Sequence, residues 1–466
     1  MRALVILLIS GAAAGCTVGP DYKRPMVTVP DTYRGAAAPE PIAPDAVSIA
    51  DQAWWDLFQD EQLQELIRTA LLQNFDLRIA ATRILQAQAQ LGITRADQFP
   101  TVDAGAGASR TRVPKVTVPF ALDPFQINDF QLTASVAWEL DFWGKFRRAT
   151  EAARANLLAS EWGRRAVATS LVSQMASAYF ELRAFDLQVD IATRTLASRR
   201  ESLRLTEVRA SGGATSLVDV RQAEQLVFNA AATISDLERL IAQQENFISV
   251  LLGRNPSDVP RGASLEQQVH VPDVPVGLPS ALLERRPDIR QAEQLLVAAN
   301  ANIGVAKAAY FPQISLTGMG GVQSEALSAL FSSAAGLWSA GAGLTQSIFN
   351  AGRTRSRVAL SKAQQEEAVL AYQQTIQQSL REVSDALVGY RKDRESREHQ
   401  VRLNRAATDA RRLADIRYRG GAASYLEVLD SDTRMFSAEL GVTQAELNEL
   451  LSLVQVYRAL GGGWQP

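Results

Sequence analysis

The sequence predicts a mainly helical fold with a small β part, made from one unit used twice and left incomplete at its strands. Three observations carry this: an internal duplication, long proline-free helical stretches, and two pairs of alternating runs. Residues 61–253 reappear in outline at 273–461. An offset of 212 aligns Phe99-Pro100 with Phe311-Pro312, Leu71 with Leu283, and Asp76-Leu77-Arg78 with Asp288-Ile289-Arg290. Beyond the alternating runs the offset falls to 208. It then aligns Gly144-Lys145 with Gly352-Arg353, Arg209 and Gly212-Gly213 with Arg417 and Gly420-Gly421, and Leu252-Gly253 with Leu460-Gly461. The second insert is therefore shorter, which places the length change in its loop.

The helices come first in that unit. From Lys145 to Ser211 there is no proline and one glycine, Gly163, among Ala, Leu, Glu, Gln and Arg. A helix over 146–210 would be about 98 Å long at ~1.5 Å per residue. The second copy, 354–418, is equally proline-free, with Gly389 inside it. Flanking helices over 75–98 and 216–252 would span about 36 and 55 Å. Placed end to end they match the long helix, so each chain offers four helical columns of equal height. Small apolar residues (Ala149, Ala152, Ala153, Ala155, Ala159) permit close packing on two sides, as a curved helical wall requires. A long antiparallel coiled coil is the alternative.

Each copy then inserts two strands after its Phe-Pro break, at about 101–142 and 313–349. Phe130, Leu132, Ala134, Val136, Trp138, Leu140 and Phe142 alternate with Gln131, Thr133, Ser135, Glu139 and Asp141. In copy two, Ile314, Leu316 and Val322 alternate with Gln313, Ser315 and Thr317, and Leu344 and Ile348 with Ser339, Thr345 and Ser347. Strands of about ten residues with one apolar face suit a transmembrane barrel, although a soluble sandwich alternates alike. In lipid no sheet edge is left open, so four strands would have to be completed by other chains. Loops at 113–127 and about 323–334 would cap such a barrel.

Composition narrows the function. Lys+Arg number 48 against 50 Asp+Glu, so no nucleic-acid footprint is present. The two histidines, His270 and His399, have no Cys or His at ligand spacing, which gives no basis for a metal site or a His-dependent triad. Gly320-Gly321 lacks the following Lys-Ser/Thr of a phosphate loop. No cofactor is expected, and no constellation supports an enzyme. Residues 1–15 read as a signal peptide with a short apolar stretch from Ala3 to Ile9. The single cysteine, Cys16, follows Ala14-Gly15, and that junction resembles a bacterial lipobox, which implies a lipidated, palmitate-bearing mature N-terminus. Ordinary cleavage leaving a free thiol is the alternative. A proline-rich stretch over 16–50 then reads as an extended tether.

Several motifs in order resemble TolC-type outer-membrane efflux channels. They are Cys16-Thr-Val-Gly-Pro-Asp-Tyr-Lys-Arg-Pro25, Trp54-Trp55 with Phe58 and Leu63, Ala70-Leu-Leu-Gln-Asn74-Phe-Asp76, both Phe-Pro breaks, and Tyr457-Arg-Ala-Leu-Gly-Gly-Gly-Trp464. The branch resembled is the lipoproteins that serve resistance-nodulation-division (RND) pumps, and the resemblance covers essentially the whole mature chain. It implies a homotrimer with a 12-stranded transmembrane β-barrel, a 12-helix periplasmic α-barrel and an equatorial domain. The repeats then occupy 51–253 and 273–461, separated by an equatorial linker at 254–272 and followed by a tail at 462–466. The belt would take the helix near 60–73, its counterpart near 273–285, the proline-rich 254–279 and the tail.

The implied function is passive efflux across the outer membrane. Substrate would arrive from an inner-membrane RND pump through a periplasmic adaptor, with the chain anchored in outer-membrane lipid. Pro100 and Pro312 would mark the junction of barrel and tunnel, and the turns at Gly212-Gly213 and Gly420-Gly421 the adaptor contact. In the family a Leu and an Asp just after the second turn narrow the closed entrance, which maps here to Leu426 and Asp430. Arg417 and Arg419 are expected to hold it shut, with Asp219 or Glu427 as alternative partners. Asp430 and Asp432 at i, i+2 face different ways and make no acid-base pair. Copy one has Gln222 where copy two has Asp430, so the gate is assigned to one copy. The rivals are a duct for type I protein secretion or metal efflux, and a non-conducting periplasmic coiled-coil scaffold. With 5 Met and 2 His, a dedicated metal route has little support.

Overall fold

A computed structural model describes residues 17–34, 48–113, 125–268, 274, 277 and 279–463. Cys16, His270, Trp464 and most of the first hairpin loop lie outside these described residues. In chain order the elements are α1 (Trp54–Leu57), α2 (Glu61–Gln73), α3 (Phe75–Ala96), β1 (Thr101–Val113), β2 (Phe125–Leu140), α4 (Lys145–Ser211) and α5 (Leu217–Leu251). Then follow α6 (Pro279–Arg285), α7 (Pro287–Ala308), β3 (Gln313–Ser324), β4 (Gly336–Thr345), α8 (Arg353–Arg419) and α9 (Tyr425–Ala459). The fold is mainly α with a small β part. Matching helices of the two copies have identical lengths: 22 residues in α3 and α7, 67 in α4 and α8, and 35 in α5 and α9. The strands differ, with 13 and 16 residues in copy one and 12 and 10 in copy two.

The chain divides into two compact units. The first, residues 17–26, 83–160 and 292–372, holds one antiparallel sheet of order β1-β2-β3-β4. The copies join through β2 and β3, where Trp138 faces Leu316 and Leu140 faces Ile314. In every pair the register keeps even-numbered residues together: Val102 with Val136, Leu132 with Val322, Ile314 with Leu344. One sheet face is thus apolar from Val102 and Leu344 up to Ala108 and Val322, with Arg110, Arg112, Gln126 and Asn128 following on it toward the first hairpin loop. It is also uncovered: Trp338 is 83% exposed, Val102 74% and Leu344 68%.

The second hairpin stops short of the predicted 349. β3 begins at Gln313 opposite Thr345, and the preceding Pro312 has no N–H, so the return strand has no partner beyond Thr345. Ile348 and Ser347 therefore leave the strand, and the chain reaches α8 through Ala351 and Gly352 at φ 51° and 81°. The second hairpin loop, expected at about 323–334, lies at 325–335 and contains two 3-10 turns, Leu327–Ala329 and Ser333–Ala335.

The N-terminal tether is docked along this unit. Val18 N–H donates to the Trp143 carbonyl at 3.1 Å. Arg148 pairs with Asp21 at 2.7 Å. The Arg24 guanidinium takes both oxygens of Glu293, at 2.6 and 2.8 Å, and Tyr22 OH donates to the same carboxylate. Gly19 and Gly304 touch so closely that a Cβ on either would meet the other's backbone or its neighbour at 2.6 Å.

The second unit, residues 27–82, 161–291 and 373–463, contains most of the largest fully buried side chains, among them Tyr179, Met175, Leu63, Ile67 and Ile289. Asp60 caps α2 by accepting from the N–H groups of Gln62 and Leu63. Its second oxygen accepts from Tyr179 OH, Ala263 N–H and Gln268 Nε2, at 2.9 to 3.0 Å, and so ties the linker to the helices.

Helices are spliced end to end here, once per copy and by different chemistry. Asn74 caps α3 through the Leu77 N–H, and its amide donates to the Leu251 carbonyl at the end of α5, 3.0 Å away. At the aligned position Arg286 donates from Nη1 to the Ala459 carbonyl at the end of α9, 2.9 Å away. Its remaining donors reach Asp288 and Glu382. Orphan carbonyls at two helix ends are satisfied in this way.

Candidate functional site

The predicted gate lies in the second unit, where α8 turns into α9. The turn backbone repeats that between α4 and α5. Gly213 and Gly421 both sit at φ 74°, the left-handed region where a side chain is strained. Ala214 N–H donates to the Arg209 carbonyl and Ala422 N–H to the Arg417 carbonyl, both at 2.8 Å, with Gly213 and Gly421 bonding three residues back. These are Schellman endings. A Cβ at Gly213 or Gly421 would meet nothing within 4 Å, so these glycines answer the backbone angle and leave the turn surface open.

The side chains on the two turns differ. In the first, Ser216 caps α5 in a capping box with Asp219, whose carboxylate also accepts from Thr215. The Thr215 hydroxyl bond, with those from Ser216, holds the Asp219 carboxyl below its ordinary range. In the second, the Ser424 side chain makes no cap bond, and Glu427 pairs with Arg417 at 2.6 Å. Arg419 binds Asp415 at 2.8 Å and Asp430 binds Arg434 at 2.9 Å. Within one chain neither predicted arginine reaches Asp430. Arg417 takes Glu427, one of the two alternatives, and Asp219 is engaged in its own cap. Leu426 is 59% exposed and lies one turn from Asp430 on the same face of α9.

Beneath that open face is a buried ionic cluster that sequence reasoning missed. Asp432 accepts from Arg199 Nε at 2.8 Å and from Arg411 Nε at 3.2 Å, drawing α4 and α8 onto α9. Arg199 also donates to the Leu226 carbonyl of α5 and lies 4.8 Å over the Phe436 ring. Tyr425, packed with Ala223, Ala414, Val428 and Leu429, shares a hydrogen bond with Ser202 at 3.0 Å. The i, i+2 argument separated Asp430 from Asp432 but left the second without a partner. The available signal was the repeat itself: Tyr425 and Asp432 replace Leu217 and Glu224 of copy one.

Other predicted positions are in the first unit. Pro100 precedes β1 directly. The Pro312 carbonyl accepts from Trp143 Nε1 at 2.8 Å, and the Trp143 ring stacks on Phe311 at 4.6 Å. His399 lies within α8. Among the described residues no group of three or more His, Cys, Asp or Glu could hold a metal, and no helix is long and apolar enough to cross a membrane.

The model of the outer membrane efflux protein family matches this chain twice, at residues 66–254 and 278–462, once per copy of the repeat. The chain belongs to the outer membrane efflux protein family. Among its relatives, the probable efflux pump outer membrane protein TtgC of Pseudomonas putida is 39% identical over 452 residues, 97% of this chain and 93% of that protein. The cation efflux system protein CusC of Escherichia coli is 32% identical over 463 residues, 99% of each chain. The open state of the MtrE outer membrane channel of Neisseria gonorrhoeae superposes with a TM-score of 0.87 at 32% identity, covering 97% of this chain and 99% of that one. For an outer membrane efflux protein, the turn with Leu426 and Asp430 is a candidate constriction, and the open-edged sheet a candidate membrane segment.

Proposed function

We propose that this chain is the outer-membrane channel of an efflux system, passing substrates delivered by an inner-membrane RND pump through a periplasmic adaptor. One observation carries the reading. The four-stranded sheet has an uncovered apolar face and no partner for β1 or β4 among the described residues, on a body whose helices occur in equal pairs. Both edges must be paired in lipid, and three copies supply twelve strands. Cys16, lipidated, adds an anchor beside that barrel. No chemistry is required of the chain, because the pump supplies the energy and the channel a water-filled path.

Three copies would also bring Leu426 and Asp430 together around one axis and narrow the periplasmic entrance. Arg417 and Arg419, at the end of α8 before the turn, would set the charge around it. The Gly212-Gly213 and Gly420-Gly421 turns, with open space at Gly213 and Gly421, would receive the adaptor. The test is single-channel conductance in planar bilayers, with wild type and a Leu426→Ala, Asp430→Ala double variant. The expected result is a low wild-type current that rises in the variant. A monomer without any conductance would overturn the channel reading, and an unchanged closed-state current would overturn the gate.

A further inference from the structure

Both long helices begin with cations directly after the sheet, and the copies treat them differently. A helix N-terminus favours anions, yet neither α4 nor α8 has an acidic residue in its first turn. In copy one the charges are neutralised inside the chain: Lys145 binds Glu139 at 2.9 Å, and Arg147 binds Asp141. In copy two the aligned cations are kept as Arg353 and Arg355, and Arg357 is added, while the aligned acids have become Ser347 and Phe349. The three arginines are exposed and have no side-chain partner among the described residues.

Their surroundings point to a bilayer. Ile348 is 93% exposed and Phe349 88%, in the seven residues between Thr345 and Arg353, where the uncovered apolar sheet face ends. Apolar side chains followed within one turn by unpaired arginines match the order of acyl chain and headgroup across a membrane interface. Arg357 also lines a cavity of about 340 Å³ with Trp143, Lys145 and Ser361, in which the two carboxylates present, Glu139 and Asp141, are already paired with Lys145 and Arg147. We propose that Arg353 and Arg357, one turn apart on one face of α8, bind the phosphates of phospholipids in the leaflet at the sheet's helical end. The proposal rests on the channel reading, since the sheet must lie in a bilayer. It makes the second copy the lipid-gripping side of each protomer, where the first is self-neutralised.

The test is native mass spectrometry of the delipidated, detergent-purified full chain. It is offered phosphatidylglycerol, diacylglycerol with the same acyl chains, or inorganic phosphate. The wild type should retain phosphatidylglycerol over diacylglycerol. An Arg353→Gln, Arg357→Gln variant should lose that preference by about five-fold per arginine. A Ser347→Glu variant, which keeps all three arginines and restores the missing acid, should lose part of it, and millimolar phosphate should not displace the lipid. Equal retention in all three proteins would overturn the proposal. Displacement by phosphate would overturn the lipid assignment, and loss of the oligomer in the double variant with lipid retained would overturn it in favour of a neighbouring chain's carboxylates as the partner. A wild type that neither inserts nor conducts would instead refute the channel reading. One that conducts without a phosphate preference refutes only this inference.

Discussion

The two helical turns share a backbone and differ in almost every side chain. The first is self-contained: Asp219 is spent on Ser216 and Thr215, and Glu224 pairs with its neighbour Arg221 on the surface. The second is cross-braced: Asp432, at the position of Glu224, is buried between Arg199 and Arg411, while Leu426 and Asp430 remain exposed on the other side of α9. Duplication thus supplied two equal shapes, and substitution made one of them a fixed wall and the other a braced support with a free face. The splices repeat the pattern. Asn74 suffices in copy one, whereas Arg286 in copy two needs Asp288 and Glu382 to hold its charge.

Breaking the brace should have the largest effect. Asp432→Ala strands Arg199, whose side chain is 2% exposed, and is expected to cost about 3–5 kcal/mol. Its repeat counterpart Glu224→Ala should stay within about 0.5 kcal/mol. Thermal unfolding of the two variants measures the difference, and similar values would remove the distinction between wall and brace. At the splices, Arg286→Ala should cost about 3 kcal/mol and Asn74→Ala about 1–2, because the first leaves carboxylates as well as a carbonyl unpaired. Denaturant midpoints at constant slope would check that order.

Smaller effects separate the turns themselves. Gly213→Ala and Gly421→Ala should each cost about 1 kcal/mol, and equally, since both glycines are at φ 74° with open space around them. Unequal costs would mean that the backbones are not equivalent under load. The smallest effect is in pH. The Asp219 carboxyl is depressed in the folded chain, so its contribution is fully present above the ordinary carboxylate value and is lost as pH falls through the lower, folded one. Amide exchange at 216–219 should therefore quicken only in acid below about pH 4. The Arg417–Glu427 pair, exposed on both sides, should respond to salt instead, with exchange around Glu427 quickening by ~1 M salt.

Helix content and periodicity were legible in the sequence because they depend on local preferences. Proline-free stretches predicted 146–210 and 354–418, and the observed helices exceed them by one residue at each end. Strand ends were less legible. The alternation of Leu344 and Ile348 continues past Thr345, but a strand ends where its partner ends, and Pro312 sets that limit from the neighbouring strand. The site divided in the same way. Leu426 and Asp430 are proposed from motif and turn, whereas Arg199 is 233 residues from Asp432 and no periodicity in a 67-residue helix marks one arginine as buried. Arg417 and Arg419 looked equivalent in sequence, and only the fold assigns them to Glu427 and Asp415.

The pairing of β2 with β3 has a consequence for how the chain comes together. Each hairpin closes over a short loop and needs only its own neighbourhood. Joining them requires Leu140 to find Ile314 after all of α4, α5, α6 and α7 has been made. Closing that longer loop costs about 2 kcal/mol more in chain entropy than closing a hairpin, and non-local pairing of this kind is slow. The seam between the copies should therefore be the last part of the sheet to form. Until it does, each hairpin has two open edges, and the nascent chain is at its most prone to aggregate before the two halves meet.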